Sequence, residues 1–156
     1  VTLLDENNYS LPLFLESIVM GWGSINNLDN HSDTLMAVSI PLLDNQACEN
    51  RLVNGNVVGQ GKILSSMLCA GGVNLGRDSC AGDSGGPLII HDPLDDKIIQ
   101  IGLVSYGHPS ICGDLPGVYT RLSAFQTFIK SHVTEAEFKS LAPSVITCQT
   151  GITPHS

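Results

Sequence analysis

Basic residues are scarce in this chain of 156: Lys plus Arg number 7 against 15 Asp plus Glu, a formal net charge of −8. The few cations form no cluster, so charge-driven binding to phosphate backbones or anionic lipid is disfavoured, and nucleic acid is excluded as a main partner. No apolar run approaches the roughly 18 residues that a membrane-spanning helix requires. The amino-terminal Val1-Thr2-Leu3-Leu4-Asp5-Glu6 lacks the initiating Met and the positive segment of a signal peptide, so the chain reads as processed or as a fragment. There is no Cys-x-x-Cys pair and no Cys/His cluster of zinc-finger spacing, which argues against a structural metal. Internal repeats and low-complexity stretches are also missing.

What is present describes a turn-rich globular domain. A mass of 16.5 kDa suits one domain rather than two. A chain of this length buries roughly 70% of its unfolded surface, enough for a true core. Hydrophobic residues make up 42%, with 16 Gly and 8 Pro. Five cysteines, at 48, 69, 80, 112 and 148, fit two bridges and one left over in an exported chain, or five free thiols in a cytosolic one. Two N-x-S sequons, Asn8-Tyr9-Ser10 and Asn30-His31-Ser32, are compatible with secretion, although such tripeptides also arise by chance.

Short runs rich in Val, Ile and Leu, at 17–20, 34–43, 63–69, 87–90, 97–106 and 117–122, are separated by Gly, Pro, Asn and Asp. Ile98-Ile99-Gln100-Ile101-Gly102-Leu103-Val104 is too short and too β-branched for a helix. His91-Asp92-Pro93-Leu94-Asp95-Asp96 reads as a hairpin loop. Strands of this length and spacing predict an antiparallel barrel or sandwich. Two helices are expected: one over 45–51 capped by Asp44, and a longer one capped by Ser123 with Phe125, Phe128, Ile129 and Val133 at 3–4 spacing. After Val133 the apolar rhythm weakens, and 142–156 reads as a tail carrying Cys148.

The segment richest in chemistry is Asp78-Ser79-Cys80-Ala81-Gly82-Asp83-Ser84-Gly85-Gly86-Pro87. Glycines allow positive φ and close approach to the main chain, and such a turn aims successive N–H groups at one point, as an oxyanion requires. Ser84 is then a candidate nucleophile. On these residues alone the alternative is an ordinary glycine-rich turn with a solvated serine.

Gly82-Asp83-Ser84-Gly85-Gly86-Pro87 resembles the nucleophile motif of the chymotrypsin-fold, trypsin-like serine proteases. Gly21-Trp22-Gly23 is similar to that family's G-W-G, Met67-Leu68-Cys69-Ala70-Gly71 to M-x-C-A-G, Val104-Ser105-Tyr106-Gly107 to V-S-W-G, and Pro116-Gly117-Val118-Tyr119-Thr120 to P-G-V-Y-T. The motifs occur in the family's order over about three-quarters of the chain. The resemblance implies an all-β fold: the second antiparallel barrel of the chymotrypsin fold with a C-terminal α-helix, the first barrel largely missing. Residues 1–133 would be the C-terminal part of a peptidase domain and 134–156 an extension or tail. It implies Ser84 as nucleophile, with the N–H groups of Gly82 and Ser84 as the oxyanion hole. Asp83 would be the acid that pairs with the α-amino group created by zymogen cleavage. Asp78 would lie at the base of the specificity pocket, where a desolvated carboxylate suits Arg or Lys. Gly107 and Gly117 would keep that pocket open, Ser105, Tyr106 and Gly107 would pair with substrate backbone, and Tyr106 would supply a flat wall. Cys48 with Cys69, and Cys80 with Cys112, match two family disulfides, which leaves Cys148 to pair outside this segment. Trp22 is expected to be a packing residue.

A serine hydroxyl needs a neighbouring base before it attacks. The histidines at 31, 91, 108, 132 and 155 lack the family's A-A-H-C context, and no D-I-A-L-like segment supplies the buried acid. The sequence therefore reads as starting after the triad Asp. The expected activity is endopeptidase hydrolysis after Arg or Lys through an acyl-enzyme on Ser84, with His and Asp from a missing N-terminal part. The chain by itself would be inactive. The alternative is an inactive homologue that binds a partner through the old cleft; a truncated product without function is a third. Expected partners are protein or peptide substrates with Arg or Lys, the missing barrel and protease inhibitors. No cofactor or metal is implied, and the location is extracellular.

Overall fold

Alternation of buried and open positions along 87–92 places Leu88, Ile90 and Asp92 inward and His91 outward, the period-two pattern of a half-buried strand. The same rule builds the other strands of the computed structural model, which describes residues 2–5, 15–25, 30–55, 62–72, 76–92, 94–108 and 112–141. Cys148, His155 and the sequon at Asn8 lie outside the described residues. The strands are β1 (Thr2–Leu4), β2 (Glu16–Gly21), β3 (Met36–Leu43), β4 (Met67–Gly71), β5 (Pro87–Asp92), β6 (Lys97–Tyr106), β7 (Pro116–Arg121) and β8 (Glu137–Lys139).

Six of them close on themselves. The order β2-β3-β4-β7-β6-β5 returns from β5 to β2, and every neighbouring pair is antiparallel. Closure removes the exposed edges that an open sheet would carry. The interior is filled by Val19, Ile40, Leu68, Leu88, Ile99, Ile101 and Tyr119. This is the expected antiparallel barrel with a short C-terminal helix.

Helix α1 (Asn45–Asn54) starts at Asp44, whose Oδ1 accepts from the N–H groups of Gln46 at 2.9 Å and Ala47 at 3.1 Å. It runs three residues past the predicted Arg51 because the first breaker is Gly55, whose N–H donates to the Arg51 carbonyl at 2.9 Å. Cys48 and Leu52 on its inner face pack with Cys69 and Val118, and Cys48 is bonded to Cys69.

The second helix corrects two expectations. The chain leaves β7 in a 3-10 turn, Leu122–Phe125, and α2 spans only Gln126–His132 with no side-chain cap. Ser123 sits inside the 3-10 turn, buried, its Oγ without a partner, because burial of Leu122 starts the turn one residue before it. Phe125, Phe128 and Val133 are exposed rather than packed on the barrel.

Beyond α2 the chain is still structured. Strand β8 lies parallel to β1, and β1 lies parallel to β6, so both form a flap on the barrel wall. Lys139 reaches Asp92 at 2.8 Å and also Asp95, Lys97 reaches Glu137 at 2.9 Å, and Leu141 is buried in the main core.

Candidate active site

The turn before β5 is tied down at several points. The Asp83 carboxylate accepts from Gly23 N–H through Oδ1 at 2.8 Å and from Cys80 N–H through Oδ2 at 2.9 Å. Gly86 N–H donates to the Asp83 carbonyl at 2.8 Å, Gly85 N–H to Val104 O at 2.9 Å, and Val104 N–H to Gly86 O at 2.9 Å. The G-W-G motif acquires a physical reason here. A Cβ on Gly21 would lie 2.0 Å from Asp83 Oδ1, and one on Gly23 would lie 2.5 Å from Asp83 Cγ, so the carboxylate occupies space that only glycine leaves. Gly82 (φ 95°) and Gly85 (φ 79°) adopt left-handed conformations on either side of Ser84.

Ser84 is exposed, and no side chain among the described residues is hydrogen-bonded to its hydroxyl. Two of the described histidines are engaged elsewhere. His91 pairs with Asp96 at 2.8 Å, and His132 Nδ1 lies 2.9 Å from the Phe128 carbonyl. His108 is half-buried after Gly107. His31, to which sequence reasoning gave no place, stands against the turn: a Cβ on Gly82 would meet its ring at 2.5 Å. Trp22, expected to pack, is exposed, because it is the flanking glycines that face Asp83.

Asp78 sits five residues before Asp83 with Oδ1 accepting from Ser79 N–H at 2.7 Å and from Tyr119 O–H at 3.1 Å. Burial outweighs these bonds and pushes its pKa up to about 6. Tyr119 is fully buried and 3.1 Å from Ser79 Oγ; burial first, and then the Asp78 charge, hold its hydroxyl well above its ordinary pKa. Tyr119 and Ser79 are the members of this cluster that sequence reasoning missed. The only signal was the inward-facing position of Tyr119 in a run flanked by Val118.

A Cβ on Gly117 would come within 2.9 Å of Asp78 Oδ1, and one on Gly107 would lie 3.9 Å from the Gly117 Cα. Gly117 therefore lies against the carboxylate, with Gly107 beside Gly117. β6 carries a bulge between Val104 and Tyr106 that leaves Ser105 without a partner on β7 and exposed. Tyr106 is half-buried, its hydroxyl 3.7 Å from Met67 Sδ. The loop bearing Asp78 is bonded through Cys80 to Cys112, with Cα atoms 5.6 Å apart. Beside the turn an open cavity of about 350 Å³ is lined by Val19, Met20, Met36 and Val38 with Arg77, Asp78 and Asp83. Among the described residues no group of three or more His, Cys, Asp or Glu is placed to hold a metal ion, and no helix is long and apolar enough to cross a membrane.

The trypsin family model matches residues 1–129. The chain is 40% identical over 107 residues to venom serine protease Bi-VSP of Bombus ignitus, covering 69% of this chain and 28% of that protein. It is 40% identical over 121 residues to kallikrein-1 of Mus musculus, 76% of this chain and 41% of the relative. Trypsin-3 of Salmo salar is 36% identical over 115 residues, 73% and 43% respectively. The chain thus spans less than half the length of each of these relatives.

Proposed function

The chain belongs to the trypsin family, and we propose that it is the nucleophile-bearing part of a trypsin-like serine endopeptidase that hydrolyses peptide bonds after Arg or Lys. The observation that carries this reading is the turn at Gly82-Asp83-Ser84, anchored by the Asp83 carboxylate in its glycine cradle with the serine left exposed. Ser84 attacks the scissile carbonyl while a histidine from an N-terminal barrel, oriented by an Asp, takes its proton. The N–H groups of Gly82 and Ser84 hold the developing oxyanion, a contribution of roughly 3 kcal/mol per donor. Water then hydrolyses the acyl-enzyme, and no cofactor enters.

Asp78, beside Gly117, receives the cationic side chain, and Ser105 to Gly107 pair with substrate backbone. The free α-amino group of a processed upstream barrel joins Asp83, whose present partners are two neutral N–H groups. Protein substrates, protease inhibitors and the extracellular setting follow from the same reading.

The test is cleavage of peptide substrates by the longer protein. Ser84→Ala should lower kcat by about five to six orders of magnitude. Asp78→Ser should abolish cleavage after Arg and Lys. Undiminished hydrolysis by Ser84→Ala would overturn the assignment. A second reading, an inactive homologue that binds partners through the same cleft, is favoured by the Ser84 hydroxyl having no base among the described residues. It predicts no hydrolysis by the longer protein but retained binding of Arg- or Lys-bearing peptides.

A further inference from the structure

The last turn of α1 carries one cation, Arg51. Its guanidinium reaches away from the helix and donates through Nη1 to the carbonyl of Gly72. The helix is a firm base for this reach, since its buried Leu52 packs with Cys69 of β4 and Val118 of β7. Gly72 is the first residue past β4, buried and in a left-handed conformation (φ 65°). A Cβ there would lie 2.1 Å from Pro116 N, and one on Gly55, the α1 C-cap, would lie 2.4 Å from Leu115 Cδ1. The start of β7 therefore touches both the Gly72 turn and the end of α1.

The backbone that Arg51 holds is the end of the ladder that brackets Asp78. Gly71 pairs with Pro116, and Ala70 with Gly117. A Cβ on Gly71 would lie 3.7 Å from Asp78 Oδ1, and one on Gly117 2.9 Å from the same atom. Both strands thus meet the carboxylate within one residue of the Gly72–Pro116 contact. Gly113 N–H also bonds the Asp78 carboxylate, and a Cβ on Gly113 would fall 2.6 Å from Arg77 N. Backbone packed this closely on backbone passes a displacement on rather than absorbing it. A charged donor makes a stronger hydrogen bond than a neutral one, and a cation is favoured at a helix C-terminus, so Arg51 is well suited to hold the turn.

We infer that Arg51 is a positioning residue for the Asp78 pocket: through Gly72 it keeps Gly71 and Pro116–Gly117 closed on the carboxylate, and so tightens the grip on a cationic side chain. This role rests on the reading of Asp78 as the acceptor of Arg or Lys. Arg51 acts through the backbone and not on the substrate. Without its hold, water reaches the carboxylate and relieves the desolvation that raises the Asp78 pKa to about 6.

The experiment is calorimetric titration of the longer protein with phenylguanidine, which stays cationic from about pH 4 to pH 8. Because the ligand needs ionised Asp78, affinity should climb with pH and level off above about 6. Tyr119 on β7, and Arg77 and Asp83 along the same cavity, are common to every variant, so a moved midpoint belongs to Asp78. Arg51→Met keeps an aliphatic stem but no donor. It should weaken binding at neutral pH about 10-fold and move the midpoint down toward 3.8. Arg51→Lys, which restores a cationic donor, should recover most of both. Wild-type affinity and midpoint in Arg51→Met would overturn the role. Weaker binding with the midpoint still near about 6 would do so too, since general loss of stability produces that pattern. Failure of the underlying reading looks different: Asp78→Ser would then bind phenylguanidine as tightly as the wild type, and the role of Arg51 would fall with the pocket.

Discussion

At the scale of single residues, two carboxylates on one loop carry opposite problems. Asp83 is satisfied by geometry, in a space that exists because Gly21 and Gly23 have no side chain. Gly21→Ala puts a methyl group 2.0 Å from Asp83 Oδ1 and must expel the carboxylate or displace β2. The expected cost is about 1–3 kcal/mol, read as a lower urea midpoint, and an unchanged midpoint would show that the cradle is not occupied. Asp78 is instead held against desolvation, with a folded-state pKa of about 6 against 3.8. Between these values the folded chain keeps a proton that the unfolded chain has released, so stability falls as pH rises from about 4 to 6 and does not recover above it. At about 1.4 kcal/mol per pKa unit, the span is at most about 3 kcal/mol. Asp78→Asn should flatten this limb in urea titrations at about pH 4 and pH 7, and a variant that keeps the full slope would place the titrating group elsewhere.

At the scale of elements, the two disulfides brace different things. Cys48–Cys69 fastens α1 to β4, both already packed in one apolar cluster, whereas Cys80–Cys112 joins two loops with little core beneath them. The second closes 32 residues and should contribute about 2–4 kcal/mol. Replacing Cys80 and Cys112 by Ser should lower stability by that amount and weaken binding of a small guanidinium compound near Asp78. Replacing Cys48 and Cys69 should lower stability while sparing that binding; equal effects of both pairs on the ligand would refute the distinction. The elements also show how much was legible in the chain. Apolar runs bounded by turn residues gave β6 as far as Tyr106 and β7 to within a residue, and Asp44 as a cap gave the start of α1. β5 instead continues past Ile90 through His91 and Asp92, which read as hairpin loop, because pairing with Ile98 and Lys97 extends the strand. Ser123 misled because a capping residue and a residue one step inside a 3-10 turn look alike until the burial of Leu122 is known. Strand β8 was unreadable, because its three residues are recruited by backbone pairing to β1 and by distant ion pairs, neither of which leaves a local pattern. At the site, the motif residues were legible, but His31 and Tyr119 became neighbours of Gly82 and Asp78 only when the barrel closed.

At the scale of the whole molecule, the segment after α2 acts as a strap across the barrel. Through β8 it pins β1, through Leu141 it enters the main core, and through Lys139 it answers the Asp92 carboxylate, which is 1% exposed at the end of β5. A buried carboxylate left without its cation is destabilising, so deletion of 134–156, or Lys139→Met alone, should lower the thermal midpoint at neutral pH. The pH dependence identifies the cause. The Lys139 hydrogen bond lowers the Asp92 pKa below its ordinary 3.8 despite burial, so the stability that Asp92 contributes is present above that value and is lost as pH falls through the folded-state pKa. The Lys139 pKa is raised above 10.5, chiefly by Asp92 and then Asp95, so its contribution is present below 10.5 and is lost as pH rises through the folded-state value. The difference in midpoint between the intact and strapless chains should therefore be widest from about pH 4 to pH 10 and shrink at both ends. Asp78 does not disturb this comparison, because its opposite slope is common to both chains and cancels in the difference. Matching thermal midpoints for the two chains at neutral pH would reduce the strap to a passenger on the barrel, whereas a gap independent of pH would assign its effect to β8 pairing and Leu141 rather than to the ion pairs.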